Sequence, residues 1–197
     1  MTRVAKKTRR GLMLGRFQPF HRGHLALARQ ILQECDELVI AIGSAQFNFI
    51  EKDPFTAGER VLMIHRGLAA DGLDLSRCYI IPVPNDDNNA RWLAGLRSML
   101  PEFDVLYTGN NYVKHLVARS QDGGGGSSSG TAITLRNPSF EKKGKYNGTH
   151  IRRLMLTGSK WRQMVPEGVA TEIDRIKGVE RLKVLQATGA ESSPQSW

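Results

Sequence analysis

The chain is poor in cysteine, with only Cys35 and Cys78 among 197 residues. This scarcity excludes a disulfide framework and a Cys-rich zinc module. Long apolar runs are also missing, since the longest, Leu38–Ile42, falls far short of the ~20 residues that a membrane helix needs. The N-terminus is basic but has no signal-peptide apolar core. We therefore expect a cytoplasmic protein in a reducing setting, with no membrane partner.

Acidic residues are scarce in two segments that together carry a charge of +12, while the whole chain has a net charge of +9. Residues 1–10 hold five cations and no acid, and residues 136–162 hold eight cations and one acid, Glu141. A basic arm alone indicates nucleic-acid affinity or simple solubility. A basic cluster near a glycine-bearing helix start is instead typical of a phosphate site. No helix-turn-helix, zinc-finger or RNP pattern is present, so we do not expect a nucleic-acid partner.

Short apolar segments alternate with segments of helical periodicity, which favours an α/β fold built on a doubly wound parallel sheet. The predicted strands are Gly11–Leu14, Leu38–Ile42, Tyr79–Val83, Val105–Tyr107 and Ala132–Leu135. Helices are predicted from His24, after a Thr56–Glu59 capping box, over Ala90–Leu100, over Tyr112–Ala118, from Asn147, from Pro166 and over Val179–Gln186.

The length predicts one main domain, at roughly 150 residues per domain. We place it at residues 11–186, between a flexible basic arm (residues 1–10) and a frayed tail (residues 187–197). Residues 121–131 are rich in glycine and serine and cannot bury apolar area, so we predict a disordered surface loop inside this domain. A functional lid and an interdomain linker are the alternatives for that loop.

The residues with the clearest chemical meaning lie between the first predicted strand and helix, in the run from Gly15 to His24, Gly-Arg-Phe-Gln-Pro-Phe-His-Arg-Gly-His. Ligands of α/β sheets bind at the carboxyl ends of the strands, where this run begins. His21 and His24 can face one pocket, Gly23 permits a close approach of backbone, and a helix N-terminus offers free N–H groups. The histidines could contact nucleotide phosphates, bind a metal ion or serve as structural residues, and the strand–turn–helix context favours the phosphates.

This run resembles the His-x-Gly-His signature of the nucleotidyltransferase superfamily. The sequence around the signature is similar to that of archaeal-type nicotinamide mononucleotide (NMN) adenylyltransferases. The further segments that match in order are Ile42–Gln46, Asp53–Arg60, Asn89–Trp92, Thr108–Asn110 and Asn147–Arg153. The resemblance covers roughly residues 11–186. It implies a Rossmann-like nucleotidyltransferase fold with C-terminal helices, and transfer of AMP from ATP to NMN to give NAD⁺ and pyrophosphate.

The resemblance also implies roles for individual residues. His21, His24 and Arg152 would be catalytic and contact the triphosphate. The residues implied for ATP or phosphate binding are Gly15, Arg16, Phe17, Gly23, Lys52, Gly109, Asn110, Asn147 and Thr149. Trp92 would stack on the nicotinamide ring, and Asn89 would hydrogen-bond its carboxamide or the nearby ribose. Asn147 stands where the family usually has serine, and Lys52 where relatives often carry arginine.

The implied chemistry suits these residues, because the NMN phosphate is already an anion near neutral pH and needs no catalytic base. Positioning and electrostatics would supply most of the rate. We expect Mg²⁺ to accompany ATP without a dedicated protein site. The resemblance further implies a homo-oligomer, with a hexamer as the expected state. Other phosphorylated acceptors, namely nicotinic acid mononucleotide, pantetheine phosphate and FMN, remain alternatives to NMN.

Overall fold

The computed structural model describes residues 7–85, 88–89, 91–122, 132–139 and 146–189, and these residues contain one five-stranded parallel sheet. The strands are β1 (Arg10–Gly15), β2 (Glu37–Ile42), β3 (Cys78–Pro82), β4 (Val105–Tyr107) and β5 (Thr134–Arg136). The helices are α1 (Arg22–Glu34), α2 (Ala57–Ala70), α3 (Trp92–Met99), α4 (Asn111–Asp122), α5 (Gly148–Leu156), α6 (Glu167–Arg175) and α7 (Gly178–Thr188). Short 3₁₀ helices span Leu75–Arg77 and Trp161–Met164. The predicted doubly wound parallel sheet is confirmed.

The strand order β3-β2-β1-β4-β5 places β1 at the centre of the sheet. The chain moves outward from β1 through β2 to β3, and then crosses back to add β4 and β5 on the other side. Gly15 at the end of β1 pairs with Ile42 at the end of β2, and Met13 pairs with Tyr107 at the end of β4. The strand order therefore reverses between β1 and β4, and such a switch point is where open α/β sheets bind ligands.

Both faces of the sheet are buried, which explains the uninterrupted apolar runs of the central strands. On β1, Met13 packs into a core cluster with α1, α2 and α5–α7, while its neighbour Leu12 packs into a second cluster with α3 and α4. On β2, Ile40 and Val39 divide between the same two clusters. The strand alternation thus builds two cores, one on each side of the sheet.

The C-terminal helices cover one face of the sheet from outside. α6 packs on α2, and α7 packs on α5 and α6. A charged residue is buried in this layer: Glu172, fully buried, pairs with Arg66 at 2.8 Å and Arg175 at 2.6 Å. Gly168 permits the close approach of α6 to α2, since a Cβ there would lie 2.5 Å from the Arg66 carbonyl oxygen.

Several helix and strand limits differ from the predicted ones. α3 begins at Trp92 and not at Ala90, and α4 continues through Asp122, two residues into the predicted loop. The run of glycines, which disfavour helix, begins only at residue 123, so the sequence carries no signal against helix at residues 121 and 122. Residues 123–131 of the loop and residues 190–197 of the tail lie outside the described residues.

The described end of the basic arm is attached to the domain. The Lys7 ammonium lies 3.2 Å from carboxylate oxygens of both Glu102 and Asp104, and the Arg9 backbone N–H donates to Asp36 at 2.8 Å. β1 starts at Arg10, while residues 1–6 lie outside the described part of the chain. The domain boundaries as a whole stay a prediction. No helix among the described residues is long and apolar enough to cross a membrane.

Candidate active site

The loop between β1 and α1 is shaped by two residues that the motif contains. Phe17 has a φ of 51°, in the left-handed region, and its buried ring meets the His24 ring edge-on at 4.7 Å between centroids. A Cβ at Gly15 would lie 3.0 Å from the Phe17 ring, so a larger residue there would press on this ring. Phe17 therefore packs against the His24 ring and restricts the orientation of that ring.

The two histidines bind each other's backbone and form the N-terminal cap of α1. The His24 backbone N–H donates to Nδ1 of His21 (3.3 Å), and the His21 backbone N–H donates to Nδ1 of His24 (3.2 Å). Their rings stack with centroids 3.5 Å apart. Because both Nδ1 atoms accept hydrogen bonds, the proton of each neutral imidazole must be on Nε2. Each ring can thus donate one N–H from its outer edge.

Burial keeps both imidazoles uncharged near neutral pH. Desolvation lowers the pKa of His21 from 6.5 to about 4. Desolvation also lowers the pKa of His24 well below its ordinary value, and the nearby His21 adds to that effect. The histidines therefore contribute N–H dipoles to the site, and its positive charge comes from arginines.

We expect the histidine pair to make folding stability depend on pH between about 6.5 and 4. The unfolded chain binds these protons at a pKa near 6.5, whereas the folded chain resists them, so stability falls as the pH falls through this window. For His21 alone the full loss is about 3 kcal/mol.

Chemical denaturation at pH 7, 6 and 5 measures this slope. His21→Asn is the test variant, because asparagine still caps a helix but does not titrate. The slope between pH 6.5 and 5 should be shallower in the variant than in the unmodified chain. NMR titration of the His21 ring supplies a direct check, and a midpoint near 6.5 would contradict the assignment.

A second helix begins beside the histidines. The Asn147 side chain caps α5 by accepting from the backbone N–H groups of Thr149 (2.8 Å) and His150 (3.4 Å). Gly148 allows this helix start to approach the β1–α1 loop, because a Cβ there would lie 3.1 Å from the Gln18 carbonyl oxygen. Asn147 thus fulfils the capping function at this position, and its Oδ1 is engaged by the helix backbone.

Arg152 is buried one turn into α5 and is held in place by two acceptors. Its Nη1 donates to the Gln18 carbonyl oxygen (2.8 Å), and its Nη2 lies 3.4 Å from the Thr149 hydroxyl. Burial lowers its pKa from the ordinary value, and the neighbouring Arg16 charge lowers it further, while Asp53 opposes the change. Even so, a guanidinium keeps its charge in a protein, so Arg152 places a fixed cation between the two helix starts.

These groups surround a cavity of about 320 Å³, which we call the phosphate cavity. Its lining residues are Arg16, Phe17, Gln18, Pro19, His21, His24, Asn147, Gly148, Thr149 and Arg152. Two helix N-termini, two imidazole N–H donors and two guanidinium groups converge there. Each of these features favours an anion, so the cavity can bind a phosphate group or a polyphosphate chain.

A larger cavity of about 1060 Å³ lies above the sheet's switch point, and we call it the nucleoside cavity. Its lining residues are Leu14, Gly15, Arg16, Gly43, Ser44, Val83, Pro84, Asn85, Asn88, Asn89, Arg91, Trp92, Gly95, Leu96, Met99, Thr108, Asn110 and Val113. Arg16 lines both cavities and so joins them. The mixture of amide side chains and one half-buried indole suits bases and riboses.

Most of the predicted site residues lie in these two cavities. His21, His24 and Arg152 meet in the phosphate cavity, and Asn89 and Trp92 lie together in the nucleoside cavity. Gly23 does not line either cavity but packs beneath His21, since a Cβ there would lie 3.0 Å from Cβ of Tyr146 and 3.2 Å from Nδ1 of His21.

Lys52 and Gly109 are exposed and belong to neither lining. Lys52 lies in the turn before Asp53, and Gly109 lies in the turn between β4 and α4. A Cβ at Gly109 would meet no atom within 4 Å, so the structure itself does not require glycine there. Phosphate binding by Lys52 and nucleotide binding by Gly109 therefore stay predictions.

Three polar residues that support the site were not predicted from the sequence. Gln18 pairs its amide with both backbone groups of Phe55, at 2.9 and 3.0 Å, and so joins the β1–α1 loop to the loop before α2. Arg60, fully buried, donates to the carbonyl oxygens of Thr56, Arg16, Gly43, Ser44 and Ala45. Asp53 is buried beside Arg16. All three lie inside segments that match the family, which was the signal available for them.

A divalent cation would not find a ready set of protein ligands here. No three His, Cys, Asp or Glu side chains among the described residues are grouped as a metal site requires. The phosphate cavity is lined by nitrogen donors and cations, which repel a metal ion unless phosphates are present. A cation held mainly by the phosphates of a nucleotide and by water is the arrangement that these residues fit.

The fold and the two joined cavities define a nucleotidyltransferase. Residues 12–154 match the family model described as cytidylyltransferase-like, and this range contains both histidines and the whole described sheet except the first two residues of β1. The chain belongs to the nicotinamide-nucleotide adenylyltransferase family within this class. Three relatives are named nicotinamide-nucleotide adenylyltransferase. The chain is 50% identical to the one from Caldivirga maquilingensis, and 44% identical to those from Pyrobaculum arsenaticum and Methanothrix thermoacetophila. The alignments cover 95%, 95% and 89% of this chain and 99%, 99% and 95% of the relatives.

Solved structures show the same fold at low sequence identity. A bifunctional NMN adenylyltransferase/ADP ribose pyrophosphatase from Francisella tularensis superposes with a TM-score of 0.71 at 19% identity. The likeness covers 92% of this chain and 54% of that one, so the chain spans about half the length of the bifunctional protein. The same protein in complex with AMP and a manganese ion superposes with a TM-score of 0.69.

Proposed function

We propose that the chain transfers the adenylyl group of ATP to NMN, giving NAD⁺ and pyrophosphate. The observation that carries this proposal is Arg16, which lines both the phosphate cavity and the nucleoside cavity. A reaction between two nucleotides needs a place for a polyphosphate chain and, next to it, room for bases and riboses. The family of the chain supports the same reaction, because its relatives are named for it.

In this reaction a phosphate oxygen of NMN attacks the α-phosphorus of ATP. The new P–O bond forms as the bond between the α-phosphorus and the bridging oxygen breaks, and that electron pair leaves with pyrophosphate. The nucleophile is an anion near neutral pH, since phosphate monoesters have a second pKa of about 6. No residue needs to remove a proton, and the phosphate cavity indeed offers donors and cations instead of a carboxylate base.

The phosphate cavity would bind the triphosphate and the charge that grows on the leaving group. His21 and His24 can each donate Nε2–H, α1 and α5 contribute their N-terminal dipoles, and Arg152 contributes a fixed charge. Such preorganised groups stabilise the transition state without reorganising during the reaction. Because the imidazoles are neutral donors, they supply this stabilisation without a proton transfer.

We propose Mg²⁺ as the divalent ion that accompanies ATP. When bound to the phosphates, such an ion would neutralise part of their charge and help to fix their geometry. The chain's own contribution is made by Arg16, Arg152 and the helix N-termini, which hold the phosphate oxygens. Lys52 could add a mobile point charge from the neighbouring loop.

The nucleoside cavity would hold the acceptor at its α3 end. Trp92 is half-buried at the first turn of α3, and its ring is available for stacking on a flat heterocycle. Asn89 lies three residues earlier in the same lining and can both donate and accept hydrogen bonds. Gly15, Gly109 and Asn110 lie at the carboxyl ends of β1 and β4, next to the switch point, where the adenosine half would bind.

Trp92→Ala is expected to raise KM for NMN by about tenfold and leave KM for ATP within about twofold, because the loss of a stacked aromatic costs about 1–3 kcal/mol. Steady-state kinetics with each substrate varied in turn measures the split. The control is Tyr112→Ala, which removes an exposed aromatic side chain just outside the lining and should change neither constant. An unchanged KM for NMN in the Trp92 variant would remove the basis for placing nicotinamide there.

The direct test of the proposed function is incubation with ATP, Mg²⁺ and NMN, with NAD⁺ measured by a coupled dehydrogenase. Parallel reactions contain nicotinic acid mononucleotide, pantetheine phosphate or FMN in place of NMN, with pyrophosphate release as the common readout. We expect NAD⁺ formation with NMN. Pyrophosphate release with another acceptor, and none with NMN, would support adenylyl transfer as the reaction and contradict NMN as the acceptor.

Assembly and location are further proposals that follow from the family resemblance. We propose a homo-oligomer, with a hexamer as the expected state, in the cytoplasm where ATP and NMN are available. Mass determination by light scattering during size-exclusion chromatography tests the oligomeric state directly.

A further inference from the structure

Asp53 is a buried acid next to the phosphate cavity, and only half of its carboxylate is paired. The residue is 3% exposed, and its Oδ2 lies 3.4 Å from Nη1 of Arg16. Its other oxygen, Oδ1, is buried and accepts no hydrogen bond from the described residues. An unpaired buried carboxylate oxygen is costly, so its retention at this position calls for a reason in the chemistry of the site.

The backbone around Asp53 is held firmly on several sides. The Asp53 N–H donates to the Ile50 carbonyl oxygen (3.0 Å), and the Pro54 carbonyl oxygen accepts from Arg181 (3.2 Å). Phe55 exchanges two hydrogen bonds with the Gln18 amide. The backbone that carries the Asp53 side chain is therefore held by contacts that do not involve the Arg16 side chain.

Arg16 has the opposite character. Its side chain is 51% exposed, and its contact with Asp53 is the only ion pair that joins it to a carboxylate among the described residues. Its carbonyl oxygen accepts from Arg60 at 3.1 Å, so the backbone is anchored while half of the long side chain is exposed to solvent. A side chain of this length loses about 2 kcal/mol of rotamer entropy when it is fixed. An ion pair with Asp53 orders the Arg16 side chain before a substrate binds, so less rotamer entropy is lost during binding.

Asp53 also lies among three positive charges. Burial lowers the pKa of both Arg60 and Arg152, the Arg16 charge lowers it further, and the Asp53 charge opposes the change at both. Glu51 assists Asp53 at Arg152 only. Asp53 thus reduces the mutual repulsion of the guanidinium groups while no phosphate is present.

We propose that Asp53 is a positioning residue, which holds the Arg16 guanidinium at the junction of the two cavities before ATP and the acceptor bind. This rests on the proposed function, because Arg16 is placed between the reacting phosphates only if the two cavities hold two nucleotides. The contact uses one N–H of the guanidinium and one carboxylate oxygen. The remaining N–H groups of Arg16 stay available for phosphate oxygens.

The test is Asp53→Asn, which keeps the shape of the side chain and removes its charge. We expect kcat/KM for ATP to fall roughly 10- to 100-fold, mostly through kcat, as for a misplaced reacting group. Calorimetry should also show a weaker Kd for ATP. In an Arg16→Ala background the same substitution should change kcat and Kd far less than in the unmodified chain, because residues that act together are not additive. Glu51→Gln is the matched control, since it removes a nearby exposed acid that does not contact Arg16, and it should stay within about twofold of the unmodified chain.

Arg16→Lys tests the same ion pair by changing the cation and keeping Asp53. It keeps the charge but loses the planar fork, and Asp53→Asn should have a smaller effect in this background than in the unmodified chain. The proposal is overturned if Asp53→Asn lowers only the melting temperature, if it tightens ATP binding with kcat unchanged, or if its effect is undiminished in the Arg16→Ala background. If the unmodified chain forms no dinucleotide, the proposed function fails. The Kd values for ATP of the unmodified chain, the two single variants Asp53→Asn and Arg16→Ala, and the double variant still decide whether Asp53 acts through Arg16.

Discussion

Replacing Arg152 with alanine is expected to lower kcat by roughly 10²- to 10³-fold, the range for the loss of one preorganised group that stabilises charge. Arg152 is 8% exposed and lines the phosphate cavity between the starts of α1 and α5. The adjacent Arg153 gives a matched control, because it is exposed on the same helix and its guanidinium lies 3.3 Å from Nδ1 of His150, its one hydrogen-bond partner among the described residues. Arg153→Ala should retain a kcat within about twofold of the unmodified chain. Steady-state kinetics with saturating ATP and NMN measures the difference.

A loss of folding must be separated from a loss of catalysis in this variant. Arg152→Ala leaves the buried Gln18 carbonyl oxygen without its 2.8 Å donor, which costs about 1–3 kcal/mol. The melting temperature should therefore fall as well, and kcat is compared only below the transition. Arg152→Lys keeps the charge and should recover part of kcat, since lysine cannot reproduce the planar fork that meets both Gln18 and Thr149. Near-normal turnover in Arg152→Ala would refute its proposed role.

The fold could be predicted from the sequence because its central strands are buried on both faces. Such strands leave uninterrupted apolar runs, as at Leu38–Ile42, and the glycine and polar residues that follow them mark the carboxyl ends of a parallel sheet. The Thr56–Glu59 capping box is confirmed, and it set the start of α2 correctly. The starts of α1 and α3 have weaker sequence signals, because a histidine caps the first and no side chain caps the second. Neither residue type at those positions is a strong helix-start signal.

The position of the site could also be predicted, but its charge distribution could not. The spacing of His21 and His24 indicates a shared pocket, yet only the folded structure shows that each ring accepts from the other's backbone and that burial keeps both neutral. Asp53 and Arg60 were missed for a similar reason. Their neighbours, Arg16 and the carbonyl groups at the end of β2, are distant in sequence, and a burial that depends on tertiary contacts leaves no local pattern.

Substitution of His24 is expected to separate its role as a cap from its role as a phosphate donor. His24→Ala removes the Nε2–H donor and also the Nδ1 atom that accepts from the His21 backbone. We expect kcat to fall roughly 10²- to 10³-fold and stability to fall by about 1 kcal/mol, the usual contribution of a cap. His65→Ala is the control, because it removes an exposed histidine from α2, outside both cavities, and should leave kcat unchanged.

His24→Glu supplies the decisive comparison. A glutamate at the third position of a helix accepts from the backbone of the cap residue, so it restores the capping box, but it cannot donate to phosphate and repels it. The melting temperature of His24→Glu should therefore equal or exceed that of His24→Ala, while its kcat should be lower still. If the two variants instead rank in the same order for stability and for turnover, His24 acts on the reaction only through the cap of α1. If His24 is a neutral N–H donor to the triphosphate, His24→Glu should be at least as stable as His24→Ala and have the lower kcat.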